Sequence, residues 1–254
     1  MAKPDCKSCG GTGWIVSEKD GISAADRCPC VAEAQAEQLE GKAQIPENYK
    51  RVSFETFHLP QDNPTAQRGL ADVMLAVAAF TRAYPKNSKP GLLLVGPPGT
   101  GKTHLAVSAL KLLIARGHEG IFFDYQGLLE KIRSAYNAQL GTSNREAYRT
   151  ALETEVLLLD DLGAHRVTDW VEDTVTAIVT HRYNHRKPLI ATTNLVDPDI
   201  GGAQIEKSGI PGAHSFRVTL EERIGERARS RLFEMCKVIR MPSVNDYRIR
   251  PIRV

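Results

Sequence analysis

Apolar residues along this chain fall into short unbroken runs separated by stretches in which they recur at helical spacing. The runs Gly91–Val95 (GLLLV), Gly120–Asp124 (GIFFD), Val156–Asp160 (VLLLD), Pro188–Thr193 (PLIATT) and Cys236–Met241 (CKVIRM) read as five short strands. Between them the period lengthens. A helix is expected after Asn63-Pro64, with Asn63 as its cap, and another over Lys102–Arg116, ended by Gly117. QGLLEKIRSAYNAQL, a piece over roughly 144–152, a helix over about 168–186 and the run LEERIGERARSRLFEM complete the helical set. Residues 197–217, rich in Gly and Pro, read as loop. Strands apolar on both faces, alternating with helices, imply an α/β fold with a parallel sheet covered on each side.

The first 62 residues follow a different pattern. Residues 1–30 carry four of the five cysteines, 31–42 read as a short polar helix, and 43–62 as an irregular linker docking on the main domain. The expected division is therefore 1–42, 43–62 and 63–254. No run approaches the ~18 apolar residues of a membrane span, and the amino terminus lacks the apolar core of a signal peptide. The expectation is a cytoplasmic protein with reduced thiols and no membrane partner. A net charge of +3 decides little, but its distribution is uneven. Residues 1–63 hold seven Lys/Arg against ten Asp/Glu, and residues 214–254 hold ten against five, so the carboxyl end suits phosphate better than the amino end.

Chemistry enters first at Gly96-Pro97-Pro98-Gly99-Thr100-Gly101-Lys102-Thr103-His104. GxxxxGK[ST] between a strand and a helix is a P-loop, whose backbone N–H groups cradle phosphates at the helix start. Lys102 would reach the β and γ phosphates of ATP, and the Thr103 hydroxyl would ligate Mg²⁺. The strand VLLLD then delivers Asp160 and Asp161 to the carboxyl end of the sheet. Asp160 would hold Mg²⁺ through water and Asp161 would orient the attacking water; capping of the next turn is the plainer alternative. Asn194, after the fourth strand, would sense the γ-phosphate or serve as a turn residue.

Cys6-x-x-Cys9 and Cys28-x-Cys30 form a second constellation, with glycines after the first pair. Four thiolates on tight turns suit tetrahedral Zn²⁺; a redox pair and free surface thiols are the alternatives. Cys236, alone on a strand, reads as core.

The sequence of P-loop, LLLDDLG and ATTN resembles the AAA+ ATPases, and specifically the DnaC/DnaI-type helicase loaders with their IstB-type relatives. The phrases Ile45-Pro46-Glu47-Asn48-Tyr49 and Ser53-Phe54-Glu55-Thr56-Phe57 are similar to the segment preceding the core in those loaders. The resemblance covers roughly residues 43–241. It implies a five-stranded sheet of order 5-1-4-3-2, ATPase activity, and self-association through the ATP sites. It also implies an arginine finger from the late helix. The late helix carries Arg223, Arg227, Arg229 and Arg231; Arg223, Arg227 and Arg231 recur at four-residue spacing, Arg227 and Arg231 are the candidates, and surface salt bridges of the set to Glu221, Glu222 and Glu226 are the alternative. The helical lid of full AAA+ proteins is not expected in the few residues after Met241.

From the same resemblance, the partners expected are a hexameric replicative helicase, gripped by the zinc module, and single-stranded DNA. The DNA would be met by Lys131, Arg133, Arg145 and Arg149, with Tyr125 and Tyr136 stacking on bases or packing in the core. An IstB-type transposition regulator on duplex DNA is the rival function, and an ATP-binding switch without turnover a third. His181 and His185 have ligand spacing but no third partner, and Trp14 and Trp170 read as packing.

Overall fold

The computed structural model describes residues 2–19, 22–137, 143–200, 218–244 and 246–247. The side chains of Tyr136 and Arg145, and residues 201–217 of the segment expected to be loop, lie outside the described residues.

Each of the five apolar runs is a strand: β3 (Gly91–Val95), β4 (Gly120–Asp124), β5 (Val156–Asp160), β6 (Leu189–Thr193) and β7 (Cys236–Arg240). They form one sheet of order β4-β5-β6-β3-β7, with every neighbouring pair parallel. Numbered within the sheet, this is the expected 5-1-4-3-2. The central strands β3, β5 and β6 are buried throughout, which is why their sequences are apolar without alternation. The edge strand β7 exposes Lys237 and Arg240, charges that blunt an open edge.

Helices fill both faces. On one side lie α2 (Pro64–Ala83) and α3 (Lys102–Ala115), packed on Leu92, Leu94, Phe122, Leu158 and Ile190. The Asn63 side chain caps α2 by accepting from the Ala66 N–H, worth about 1 kcal/mol. On the other side lie α4 (Tyr125–Asn137), α5 (Ser143–Glu153), α6 (Asp169–Asn184), α7 (Leu220–Ile224) and α8 (Glu226–Met235).

The late helix is not continuous. Gly225 adopts φ +80°, ψ 152° between α7 and α8, and a Cβ there would overlap the Glu172 carboxyl group. Arg223 thus belongs to one helix and Arg227 and Arg231 to the next, so the three do not form the single expected row.

The amino-terminal segment holds a hairpin that its sequence does not announce, β1 (Trp14–Lys19) paired antiparallel with β2 (Ile22–Arg27). Helix α1 (Pro29–Lys42) follows and lies against α3 and β4. In the linker, Ala43 and Ile45 are buried in the core, and the Phe122 N–H of edge strand β4 donates to the Ala43 carbonyl at 2.8 Å. Among the described residues, no helix is long and apolar enough to cross a membrane.

Candidate nucleotide site and cysteine cluster

Because β6 lies between β5 and β3, the carboxyl ends of these three strands converge on one cleft. Pro98, Gly99, Gly101, Lys102, Thr103 and His104 line it, with Asp160, Asp161 and Asn194 opposite. Gly99 and Gly101 take φ +69° and +90°, values that L side chains rarely adopt. The remaining loop positions act from behind. Gly96 packs on Met241, the Pro97 carbonyl accepts from Lys102 Nζ at 2.8 Å, and Thr100 Oγ1 donates to the same oxygen at 2.9 Å. Lys102 is buried, an ammonium held at the start of α3 where phosphate oxygens would meet it.

Asp160 is buried and tied into the cleft floor. Thr192 Oγ1 donates to Asp160 Oδ1 at 2.6 Å and accepts from the Asp161 N–H at 2.9 Å. Burial pushes the Asp160 carboxyl up to about 6, with the Asp161 and Asp124 carboxylates adding to it, while bonds from Thr192 and Thr103 pull the other way. This crowding of acidic oxygens beside the Thr103 hydroxyl is the hard donor set that suits Mg²⁺. Asp161 itself takes φ +53°, and Asn194 Nδ2 donates to Asp161 Oδ1 at 3.4 Å.

His104 lines the cleft and also faces the linker. The His104 side chain turns to the linker: a carbonyl only accepts, so Nε2 donates to the Ser53 carbonyl, at 2.8 Å. The ring also meets Thr56 Oγ1 and the edge of Phe57, and burial lowers its pKa. A Cβ on Gly101 would overlap Phe57, so the linker presses directly on the P-loop. Tyr125 is 1% exposed and packs in the core, the packing alternative of the two readings open to it.

Two lining residues come from outside the nucleotide motifs. Tyr49 comes from the linker and Tyr247 from the segment after β7. Beside Tyr247, the Asp246 carboxyl group occupies the space that a Cβ on Gly99 would need. No spacing rule links such residues to a P-loop so distant in sequence.

The late arginines separate by environment. Arg227 is exposed; Arg231 is half-buried and donates to the Arg227 carbonyl at 3.1 Å. Arg223 donates to the His165 carbonyl at 3.2 Å. Neither Arg227 nor Arg231 lines the cleft of its own chain. Glu222 is occupied in the capping box of Thr219, so it is not the expected arginine partner. On α4, Lys131 lies over the Phe123 ring and Arg133 is exposed, as is Arg149 on α5. The His181 and His185 rings stack at 4.2 Å and, among the described residues, belong to no three-ligand cluster.

The four amino-terminal sulfurs do form such a cluster. Cys6, Cys9, Cys28 and Cys30 place their Sγ atoms within 4.8 Å of one another, with Cys6–Cys28 at 3.7 Å and Cys9–Cys30 at 3.5 Å. A tetrahedron of 2.3 Å Zn–S bonds requires sulfurs about 3.8 Å apart, so the spacing fits zinc. Backbone N–H groups of Ser8 and Cys9 lower the Cys6 thiol to about 6. Burial raises the Cys30 thiol to about 12, a proton-retaining environment that a cation would reverse. Cys236 is fully buried, as its strand position implies, and burial raises its thiol.

The sheet order, the P-loop and the acid pair together define an AAA+ ATP-binding protein. The profile of the IstB-like ATP binding proteins matches residues 35–198, and the chain belongs to that family. It is 24% identical over 197 residues to the phage-like element PBSX protein XkdC of Bacillus subtilis, covering 75% of this chain and 72% of that one. It is 23% identical over 159 residues to the replicative helicase loader DnaC of Buchnera aphidicola, covering 63% of this chain and 62% of the loader. The chain thus spans less than two thirds of that loader. Among solved structures, that of the DnaC helicase loader is similar at a TM-score of 0.59 and 30% identity, over 78% of this chain and 100% of that one. AMPPCP-bound DnaA from Aquifex aeolicus shares the fold at a TM-score of 0.57, over 81% of this chain and 53% of that one.

Proposed function

We propose that this protein loads a hexameric replicative helicase onto single-stranded DNA, with ATP binding holding the loading assembly and hydrolysis releasing it. The carrying observation is physical continuity. The cysteine cluster opens helix α1, α1 runs into a linker anchored in the core by Ala43 and Ile45, and the linker meets the P-loop where Ser53 and Phe57 contact His104 and Gly101. A partner held at the amino terminus would therefore be joined to the ATP site by packed structure rather than by a loose tether. The likeness to DnaC-type loaders supports the same reading.

In this reading Lys102 binds the β and γ phosphates, and Thr103 and Asp160 hold Mg²⁺, which supplies charge neutralisation during phosphoryl transfer. Asp161 orients the attacking water and Asn194 contacts the γ-phosphate. Arg227 or Arg231 reaches the ATP of a neighbouring subunit, so turnover rises on assembly. Cys6, Cys9, Cys28 and Cys30 hold zinc and shape the partner-binding module.

The test is native mass spectrometry with the source organism's replicative helicase, ATP and Mg²⁺. A complex that is lost when residues 1–42 are deleted supports the loader; no complex under any nucleotide condition refutes it. A second reading, a transposition-associated ATPase on duplex DNA, is favoured by 27% identity over 164 residues to an ATP-binding protein of insertion sequence IS5376 from Geobacillus stearothermophilus. Tighter ATP-dependent binding to duplex than to single strands would favour that reading.

A further inference from the structure

Arg229 differs from the other arginines of α8, Arg227 and Arg231, in forking onto buried carboxylate oxygens. Its side chain is 15% exposed, and it forks onto both oxygens of Asp197, with Nε–Oδ2 and NH2–Oδ1 each at 2.6 Å. The same guanidinium reaches Asp199 at 2.5 Å, lies 3.7 Å from Glu221 and sits over the Phe233 ring. The Asp197 side chain is 0% exposed, so without Arg229 a carboxylate would be stranded in the interior.

Asp197 is three residues beyond Asn194. The backbone between them is fixed as well: Val196 bridges to Thr219, and the Leu220 N–H donates to the Val196 carbonyl at 3.0 Å. Leu195 and Arg223 both press on Gly163, two residues after Asp161. The turns that follow β5 and β6 are therefore bound to α7 and α8, and Arg229 is the one charged fastening between the Asn194 turn and α8 among the described residues. Arg227 and Arg231 flank it on that ten-residue helix.

We propose that Arg229 is a positioning residue that couples the nucleotide-contacting end of β6 to the arginine-bearing helix α8. The proposal rests on the ATP-dependent reading above and assigns a route within it. A displacement at Asn194 moves Asp197, Asp197 carries Arg229, and the whole of α8 shifts with its two outward arginines. Arginine is required because a planar fork holds both carboxylate oxygens at once; a lysine holds one point.

The experiment is hydrogen exchange on the full-length protein with and without a non-hydrolysable ATP analogue and Mg²⁺, for the unaltered chain, Arg229→Lys and the milder Asp199→Asn. In the unaltered chain the analogue slows exchange at the P-loop, at Leu195–Asp199 and across α8. In Arg229→Lys the P-loop response persists, the α8 response disappears, and kcat falls about tenfold with the KM for ATP little changed. Asp199→Asn gives a partial loss. A merely structural Arg229 lowers the melting temperature of Arg229→Lys yet leaves α8 responding to nucleotide, which overturns the coupling. Protection at the P-loop without any at α8 in the unaltered chain overturns it without recourse to a variant. No protection at the P-loop overturns the nucleotide reading itself, and the coupling falls with it.

Discussion

A single hydroxyl organises the cleft floor. Thr192 donates to Asp160 and accepts from the backbone of Asp161, so one atom fixes both acids at the end of β5. Thr192→Val keeps the shape and strips out both bonds, leaving the Asp161 N–H without its acceptor. The expected cost is about 1–3 kcal/mol of stability, measured by urea unfolding, together with weaker Mg²⁺-dependent nucleotide binding. Asp161→Asn tests the neighbouring position: ATP affinity should hold while kcat falls by about 10²–10⁴ if the carboxylate activates water. Asp197 gives a pH signature. Burial alone would raise its pKa, but Arg229 and the Asp199 N–H outweigh that, and the net shift is downward. A lowered carboxyl contributes stability above its ordinary value near 4 and loses that contribution as pH falls through the lowered one. The stability advantage of the unaltered protein over Asp197→Asn should therefore be constant from pH 5 to 7, in keeping with a carboxyl ordinarily titrating near 4, and shrink below about pH 4. Unfolding curves recorded across that range check it.

Among elements, the strands were the most legible in sequence and the late helix the least. Unbroken apolar runs such as Val156–Asp160 leave no choice but a strand buried on both faces, and the acids at its end were fixed with it. LEERIGERARSRLFEM reads as one helix because a glycine within a periodic run is tolerated, and only its backbone angle shows that Gly225 divides α7 from α8. The hairpin β1–β2 escaped because a two-stranded ribbon gathered around four cysteines needs little apolar alternation. Asp246 and Tyr247 escaped because the tertiary fold alone brings them to the P-loop, and Tyr49, though inside the quoted linker phrase, gave no sign of reaching it. Gly225→Ala probes the divided helix: positive φ and the overlap with Glu172 should cost about 1–3 kcal/mol. For a protein this size that is a melting-temperature drop of several degrees, about 2–4 °C per kcal/mol, readable by calorimetry.

At the scale of the whole molecule, two chemically distinct centres share one packed body. The four-sulfur cluster has little apolar core beneath its hairpin, so if it holds zinc a chelator should loosen residues 1–28 while the sheet stays folded. Limited proteolysis with and without a chelator, alongside zinc content, checks this; equal resistance in both would count against a metal-dependent module. The Ala43 carbonyl carries a different kind of consequence. It takes up a backbone N–H of β4, the outermost strand on its side of the sheet, so the linker serves as that strand's selvedge. A chain shortened to begin at Pro46 would keep every ATP-site motif and yet present a bare strand margin to other copies of itself. Such a variant should precipitate or form open-ended aggregates on concentration, where one that retains Ala43 stays monodisperse.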